Sequence, residues 1–197
     1  MDTPLLNPTD IRQRLWMELQ RAPHDRHHEW RTPVLATVSA DGLPQARTVV
    51  LRQASAQDAT LQIYTDSRSP KVAELTANPR VVLAFWSKRL SWQLRVQAVA
   101  SVQHSGPAVD AVWAKVSQSA AAGDYLSANA PGDVLPEAMA ADASGASEPH
   151  DHLPARQTAH HLAIITAHVQ SIDWLELARS GHRRGVVQGE NWQWCVP

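Results

Sequence analysis

The chain of 197 residues lacks several features that would place it in a large functional class. It has one cysteine, Cys195, so no internal disulfide can form, and a bridge-free chain of this size suits a reducing compartment. With Trp194 and Val196 as neighbours, that thiol has no adjacent base to activate it and reads as a small strand residue. Eighteen basic and 19 acidic residues leave a net charge of -1, which provides no general field for nucleic acid or an anionic membrane. Any bound anion must therefore be held by a local cluster of cations. No apolar run is long enough to span a bilayer. The opening MDTPLLNPTD has neither the basic start nor the apolar stretch of a secretion signal, which makes the cytoplasm the expected location. The absence of a Gly-x-Gly-x-x-Gly or P-loop pattern argues against a Rossmann dinucleotide site and a nucleoside triphosphatase. His24, His27 and His28, and separately His150, His152, His160 and His161, have no helical His-x-x-x-His pairing with a carboxylate. They read as solvent-exposed side chains, with no metal site expected. Phenylalanine occurs once against eight tryptophans, so the aromatic content lies in large amphipathic rings suited to interfaces and cofactor walls as well as cores.

What is present describes one domain. With 44% hydrophobic residues, the chain can bury one sizeable core. Asn7-Pro8-Thr9-Asp10 reads as a helix start, and Ile11, Leu15 and Leu19 recur on one face, predicting a helix over about 8–21. Strand texture follows at 34–39 and 45–52, joined by a turn at Asp41-Gly42, and again at 60–65, 81–86 and 92–102. Ser69 and Pro70 open a two-turn helix that Asn78-Pro79 stops, and 107–116 is a further helical piece. Residues of about 127–157 are rich in Ala, Pro, Gly, Ser and acids, which predicts a mobile or partner-facing insertion. Strands return at 162–165 and 169–177, and a closing hairpin ends the chain. Roughly eight hairpin-linked strands against three helices predict a small, mainly antiparallel β-barrel with peripheral helices.

The cations carry the chemistry. Arg47 and Arg52 bracket Arg-Thr-Val-Val-Leu-Arg, and Arg68 and Lys71 flank the start of the short helix. A helix start with free amides and nearby cations is suited to phosphate, and arginine adds a planar fork. Solvated charges along a strand edge are the plain alternative. Arg47 and Arg52 have opposite parity, so they serve one ligand only across a strand end or a bulge.

These residues, in this order, resemble the pyridoxamine 5′-phosphate oxidase group of FMN-binding split β-barrels. The likeness runs through Arg47–Arg52, Tyr64-Thr65 with Lys71 seven residues on, Leu83-Ala-Phe-Trp86, Trp92-Gln93-Leu-Arg-Val96, Gln118-Ser119, Trp174 and Arg184. It implies FMN as cofactor and a homodimer with the flavin between subunits. Arg47 and Lys71 would hold the phosphate, helped by Arg68. The strand through Thr48, Val49, Val50, Leu51 and Arg52 would run along the flavin. Tyr64 and Thr65 would meet the ribityl-phosphate end, and Gln93 the ring system. Gln118, Ser119, Trp174 and Arg184 would reach in from the second subunit.

The departures concern the substrate. The usual Ser-Arg-Lys is here Ser69-Pro70-Lys71, and the closing lysine of the first motif is Arg52. The family's substrate-gripping tyrosine, arginine and serine are missing from Ala111–Val116, and of its arginine-x-histidine element only His182 remains. The expectation is an FMN-dependent oxidoreductase acting on an unidentified small molecule, with Arg52 and His182 as substrate contacts. A non-catalytic flavin-binding or storage protein is one alternative. The other is genuine pyridoxamine-phosphate oxidation with a grip rebuilt from Arg52, Arg95 or Arg183.

Overall fold

The structure, a computed structural model, describes residues 7–135, 159–179 and 181–197. The expected insertion of about 127–157 lies outside the described residues from 136 on. Helix α1 (Pro8–Arg21) starts as its sequence implies: the Asn7 side chain accepts from the Asp10 amide at 2.9 Å, and Ile11, Leu15 and Leu19 are fully buried. It packs on the strand at Leu51–Ser55.

Among the described residues nine antiparallel strands follow: β1 (Val34–Val38), β2 (Pro44–Thr48), β3 (Leu51–Ser55), β4 (Thr60–Asp66), β5 (Arg80–Ser87), β6 (Trp92–Gln103), β7 (Leu162–Glu176), β8 (Arg183–Gln188) and β9 (Asn191–Cys195). Helix α2 (Pro70–Ala77) joins β4 to β5, and α3 (Pro107–Val116) follows β6. The sheet order is β2-β1-β5-β6-β7-β4-β3, with β8 and β9 added beside β7. Gly42, at φ +83, makes the β1–β2 turn that Asp41-Gly42 implied.

Two strand readings are corrected. The run 45–52 is not one strand, because pairing with β1 ends at Thr48 and pairing with β4 begins at Leu51. Conversely, the two runs within 162–177 are one long strand, since β7 pairs with β6 along its whole length through a single register shift opposite Gln97 and Ala98. The break sets the architecture. β2 and β3 are the two ends of the sheet path, yet three Cα steps join Thr48 to Leu51, a span of about 11 Å at most. The sheet must therefore curl until its ends meet without pairing. This is a split barrel, mainly antiparallel and not closed.

The inner face holds one core. Trp30, Leu35, Leu51, Leu83, Leu94 and Trp174 are all fully buried there. A smaller cluster of Val109, Tyr125, Leu162 and Ile164 seats α3 and the turn after it against β7. One histidine reading is also corrected. His28 is buried, with Nε2 at 2.8 Å from a carboxylate oxygen of Glu18, itself only 3% exposed. Among the described residues no helix is long and apolar enough to cross a membrane by helix.

Candidate functional site

A cavity of about 260 Å³ opens at the split, beside the link between β2 and β3. Arg47 and Thr48 end β2, Val49 and Val50 form the link, and Arg52 is the second residue of β3; all five line the cavity. The parity problem is thereby resolved. Arg47 and Arg52 belong to different strands, and a register shift between Leu51 and Gln53 places Arg52 at a bulge. Leu51 itself points the other way and is fully buried behind the wall. β4 adds Tyr64 and Thr65, and α2 adds Lys71.

The three cations are held differently. Arg47 Nη2 donates to Glu74 Oε2 at 2.9 Å, and its other amino nitrogen donates to the Thr37 hydroxyl. Lys71 Nζ donates to Thr65 Oγ1 at 3.0 Å and to Ser69 Oγ at 2.5 Å, both uncharged. Ser69 thus occupies the cap position of α2 without capping it; its hydroxyl serves the lysine instead. Burial, and then the neighbouring Arg47 charge, hold the Lys71 ammonium below its ordinary pKa. Arg52 lies over the Tyr64 ring, 5.7 Å from its centroid, and its Nε is buried with no acceptor.

Two wall residues carry no motif in the sequence: Asp124 and Tyr125, from the 3₁₀ turn Ala120–Tyr125. The one signal for Tyr125 is scarcity, because the chain has only two tyrosines and both line this cavity. Burial raises the pKa of both phenols, so both remain protonated at neutral pH.

The lining suits a phosphate-bearing group. Arg47, Arg52 and Lys71 face a single lining carboxylate, Asp124. Lys71 meets only neutral oxygens, so an incoming anion meets a charge that no carboxylate in contact with it offsets.

The remaining expected residues lie elsewhere. Arg68 does not line the cavity. Its guanidinium pairs with Asp66 at 2.7 Å and donates to the carbonyls of Ser127, Ala128 and Asn129 at 2.9–3.3 Å. It therefore ties down the start of the insertion and has no free fork for phosphate. Trp174 is fully buried among Trp92, Trp192 and Trp194, so in this arrangement its ring cannot extend to a flavin held by another chain. This corrects its expected role. Gln93 and Arg184 lie on the outer face of the sheet, where Arg184 pairs with Asp173 at 2.8 Å. Gln118 and Ser119 are exposed just after α3, and His182 is exposed between β7 and β8, away from the cavity lining.

A split antiparallel barrel with a cation-lined cavity at its split defines a phosphate-cofactor-binding β protein. Comparison with known proteins shows a likeness. Residues 13–104, just under half of the chain, match the family model for the pyridoxamine 5′-phosphate oxidase FMN-binding domain, and FMN is the cofactor of the domain so matched. Curated relatives include the pyridoxine/pyridoxamine 5′-phosphate oxidases of Thermosynechococcus vestitus, 38% identical over 84 residues, and Azorhizobium caulinodans, 40% identical over 85. Each match takes in 43% of this chain and only 38% and 39% of the respective relative. Among solved structures, a pyridoxamine 5′-phosphate oxidase-related FMN-binding protein from Nostoc punctiforme superposes with a TM-score of 0.65 at 20% identity, covering 98% of both chains. PhzG from Burkholderia lata, solved with tetrahydrophenazine-1-carboxylic acid, gives 0.64 at 21% identity, covering 98% of this chain and 93% of that one. At these identities the two likenesses speak for the fold.

Proposed function

We propose that this chain is an FMN-dependent oxidoreductase that works as a homodimer on a small organic substrate. The observation that carries the reading is the cavity at the split, where the Lys71 ammonium meets only uncharged oxygens within the segment that matches an FMN-binding domain. In this reading Lys71 and Arg47 hold the cofactor phosphate. Thr65 and Ser69 orient the lysine ammonium, and Glu74 orients the Arg47 guanidinium. The Thr48–Val50 link lays backbone along the cofactor. Bound FMN would supply two-electron redox chemistry, accepting hydride from the substrate and passing the electrons to an acceptor.

The outer sheet face supports pairing with a second copy. Val34, Trp86 and Val99 are 40%, 47% and 39% exposed there, an apolar surface of the kind that marks an interface. Gln93 and Arg184 share that face, and exposed Gln118 and Ser119 are free to approach the partner's cofactor. Oxidation of pyridoxamine phosphate itself has less support. Of the arginines that could rebuild its phosphate grip, Arg95 is paired with Asp173 and Arg183 with Glu176.

The test is direct. The purified protein should be yellow, release FMN on denaturation, and sediment as a dimer. Stopped-flow mixing with candidate donors, pyridoxamine phosphate and NADH included, should bleach the flavin with at least one. A colourless chain that takes up no added FMN overturns the reading, and a yellow protein that no donor reduces is a flavin carrier.

A further inference from the structure

Arg52 differs in its partners from most arginines of the chain. Arg47, Arg68, Arg183 and Arg184, and the exposed Arg89 and Arg95, each hold a carboxylate within 4 Å, and half-buried Arg31 holds the Pro23 carbonyl. Arg52 holds no carboxylate among the described residues, although its Nε is fully screened from solvent. Its neighbours are aromatic: the Tyr64 ring beneath the guanidinium, and the Tyr125 hydroxyl beside it. We infer that Arg52, flanked by Tyr64 and Tyr125, is the subsite for the carboxylate of an organic-acid substrate, placed next to the cofactor in the same cavity. The inference rests on the FMN reading above and names the substrate class for that site.

Three features favour a carboxylate over a phosphate. A guanidinium edge offers two parallel N–H donors, which match the two oxygens of one carboxylate. One uncompensated charge balances a monoanion, whereas a phosphate monoester carries nearly two charges at neutral pH. The other two cations of the cavity, Arg47 and Lys71, are taken by the cofactor phosphate in the functional reading, oriented by Glu74 and by Thr65 and Ser69. The tyrosines contribute twice. The Tyr64 ring fixes the plane of the guanidinium, and a phenol that remains protonated donates a hydrogen bond that a carboxylate accepts.

The subsite is assembled from distant parts of one chain. Tyr125 reaches the cavity because its own carbonyl accepts from the His161 amide at 2.9 Å, which docks the turn on the start of β7. Val109, Leu162 and Ile164 pack around it. Arg68 then holds the following residues through three carbonyls.

The experiment titrates the FMN-loaded protein with benzoate and with phenyl phosphate, followed by the flavin absorbance spectrum. Benzoate should perturb the spectrum and saturate, and should bind more tightly than phenyl phosphate. Arg52→Met should weaken benzoate by roughly ten- to a hundredfold, the loss of one charge-assisted bidentate pair, while retaining FMN. Arg52→Lys, which keeps the charge and loses the fork, should fall between, and Tyr125→Phe should weaken benzoate about three- to tenfold. Three results overturn the inference: phenyl phosphate binding as tightly as benzoate, benzoate indifferent to Arg52→Met, or Arg52→Met losing FMN as Lys71→Met does. Failure of the parent protein to hold FMN would instead strike the functional reading.

Discussion

Replacing Lys71 with methionine separates what this cation does for the cofactor from what it costs the fold. Burial and the Arg47 charge lower its pKa from the ordinary 10.5. Between the folded-state value and 10.5 the unfolded chain keeps a proton that the folded chain gives up. Stability therefore rises with pH through that window, and below it the folded chain bears the full cost of the buried ammonium. Methionine removes that cost, so the FMN-free variant should melt above the FMN-free parent at neutral pH. Cofactor binding should move the other way. A hydrogen bond from a charged donor contributes about 1.5–3 kcal/mol, so FMN affinity should fall about 10- to 150-fold. At a fixed excess of FMN the stabilisation by ligand shrinks by that same energy. Removing the buried charge lifts both melts alike, so the gap in melting temperature between FMN-loaded and FMN-free protein narrows by the lost binding energy. Thermal melts with and without FMN, with a fluorescence-quenching titration of FMN, measure both effects. A variant that binds FMN within about threefold of the parent, or whose FMN-free form melts lower, would refute the reasoning.

Arg68→Ala should release the segment after Tyr125. Limited proteolysis between residues 126 and 135 should speed up about tenfold or more, as expected when hydrogen bonds from a charged donor are lost, and an unchanged cleavage rate would deny Arg68 its anchoring role. Gly185→Ala should destabilise the protein by about 1–3 kcal/mol in urea melts, because a Cβ there would lie 2.2 Å from Trp192 Cζ2. Glu18→Gln tests a buried acid. Burial works to raise the Glu18 pKa, but hydrogen bonds from Arg89 and His28 outweigh it and hold the carboxyl below its ordinary 4.5. That stabilisation is fully present above pH 4.5 and lost as pH falls through the folded-state value, so acid denaturation of the glutamine variant should be flatter there. An identical acid profile in both proteins would remove Glu18 from the account.

Much of the fold was legible because it follows from local rules. Asn7 caps α1, Pro70 and Asn78 bound α2, and alternation along β5 and β6 separates a buried face from an exposed one, as in Leu83, Phe85, Leu94 and Val96 against Ala84, Trp86, Arg95 and Gln97. Each of these features depends on residues within a few positions of each other. The cavity wall from Arg47 to Lys71 was legible for a related reason, since the order of these residues carries the family likeness. The wall from Asp124 and Tyr125 was not. Arg68 finds its acceptors about 60 residues away, and the docking amide for Tyr125 comes from His161, across the inserted segment. No spacing rule connects such partners.

What the sequence determined by itself was a mainly β chain, a capped first helix, and a cluster of cations suited either to a phosphate or to a solvated strand edge. Only the tertiary structure decided what those cations do. The run from Arg47 to Arg52 looks like one strand whose alternation would send its arginines to opposite faces. In the fold, each end of the run pairs with a different strand, β1 and β4, and the chain parts between them at Val49 and Val50. A strand ends where its partner ends, and the partner is chosen by the curl of the whole sheet. That break places Arg47 and Arg52 in one cavity, and the docked turn carrying Tyr125 completes its wall.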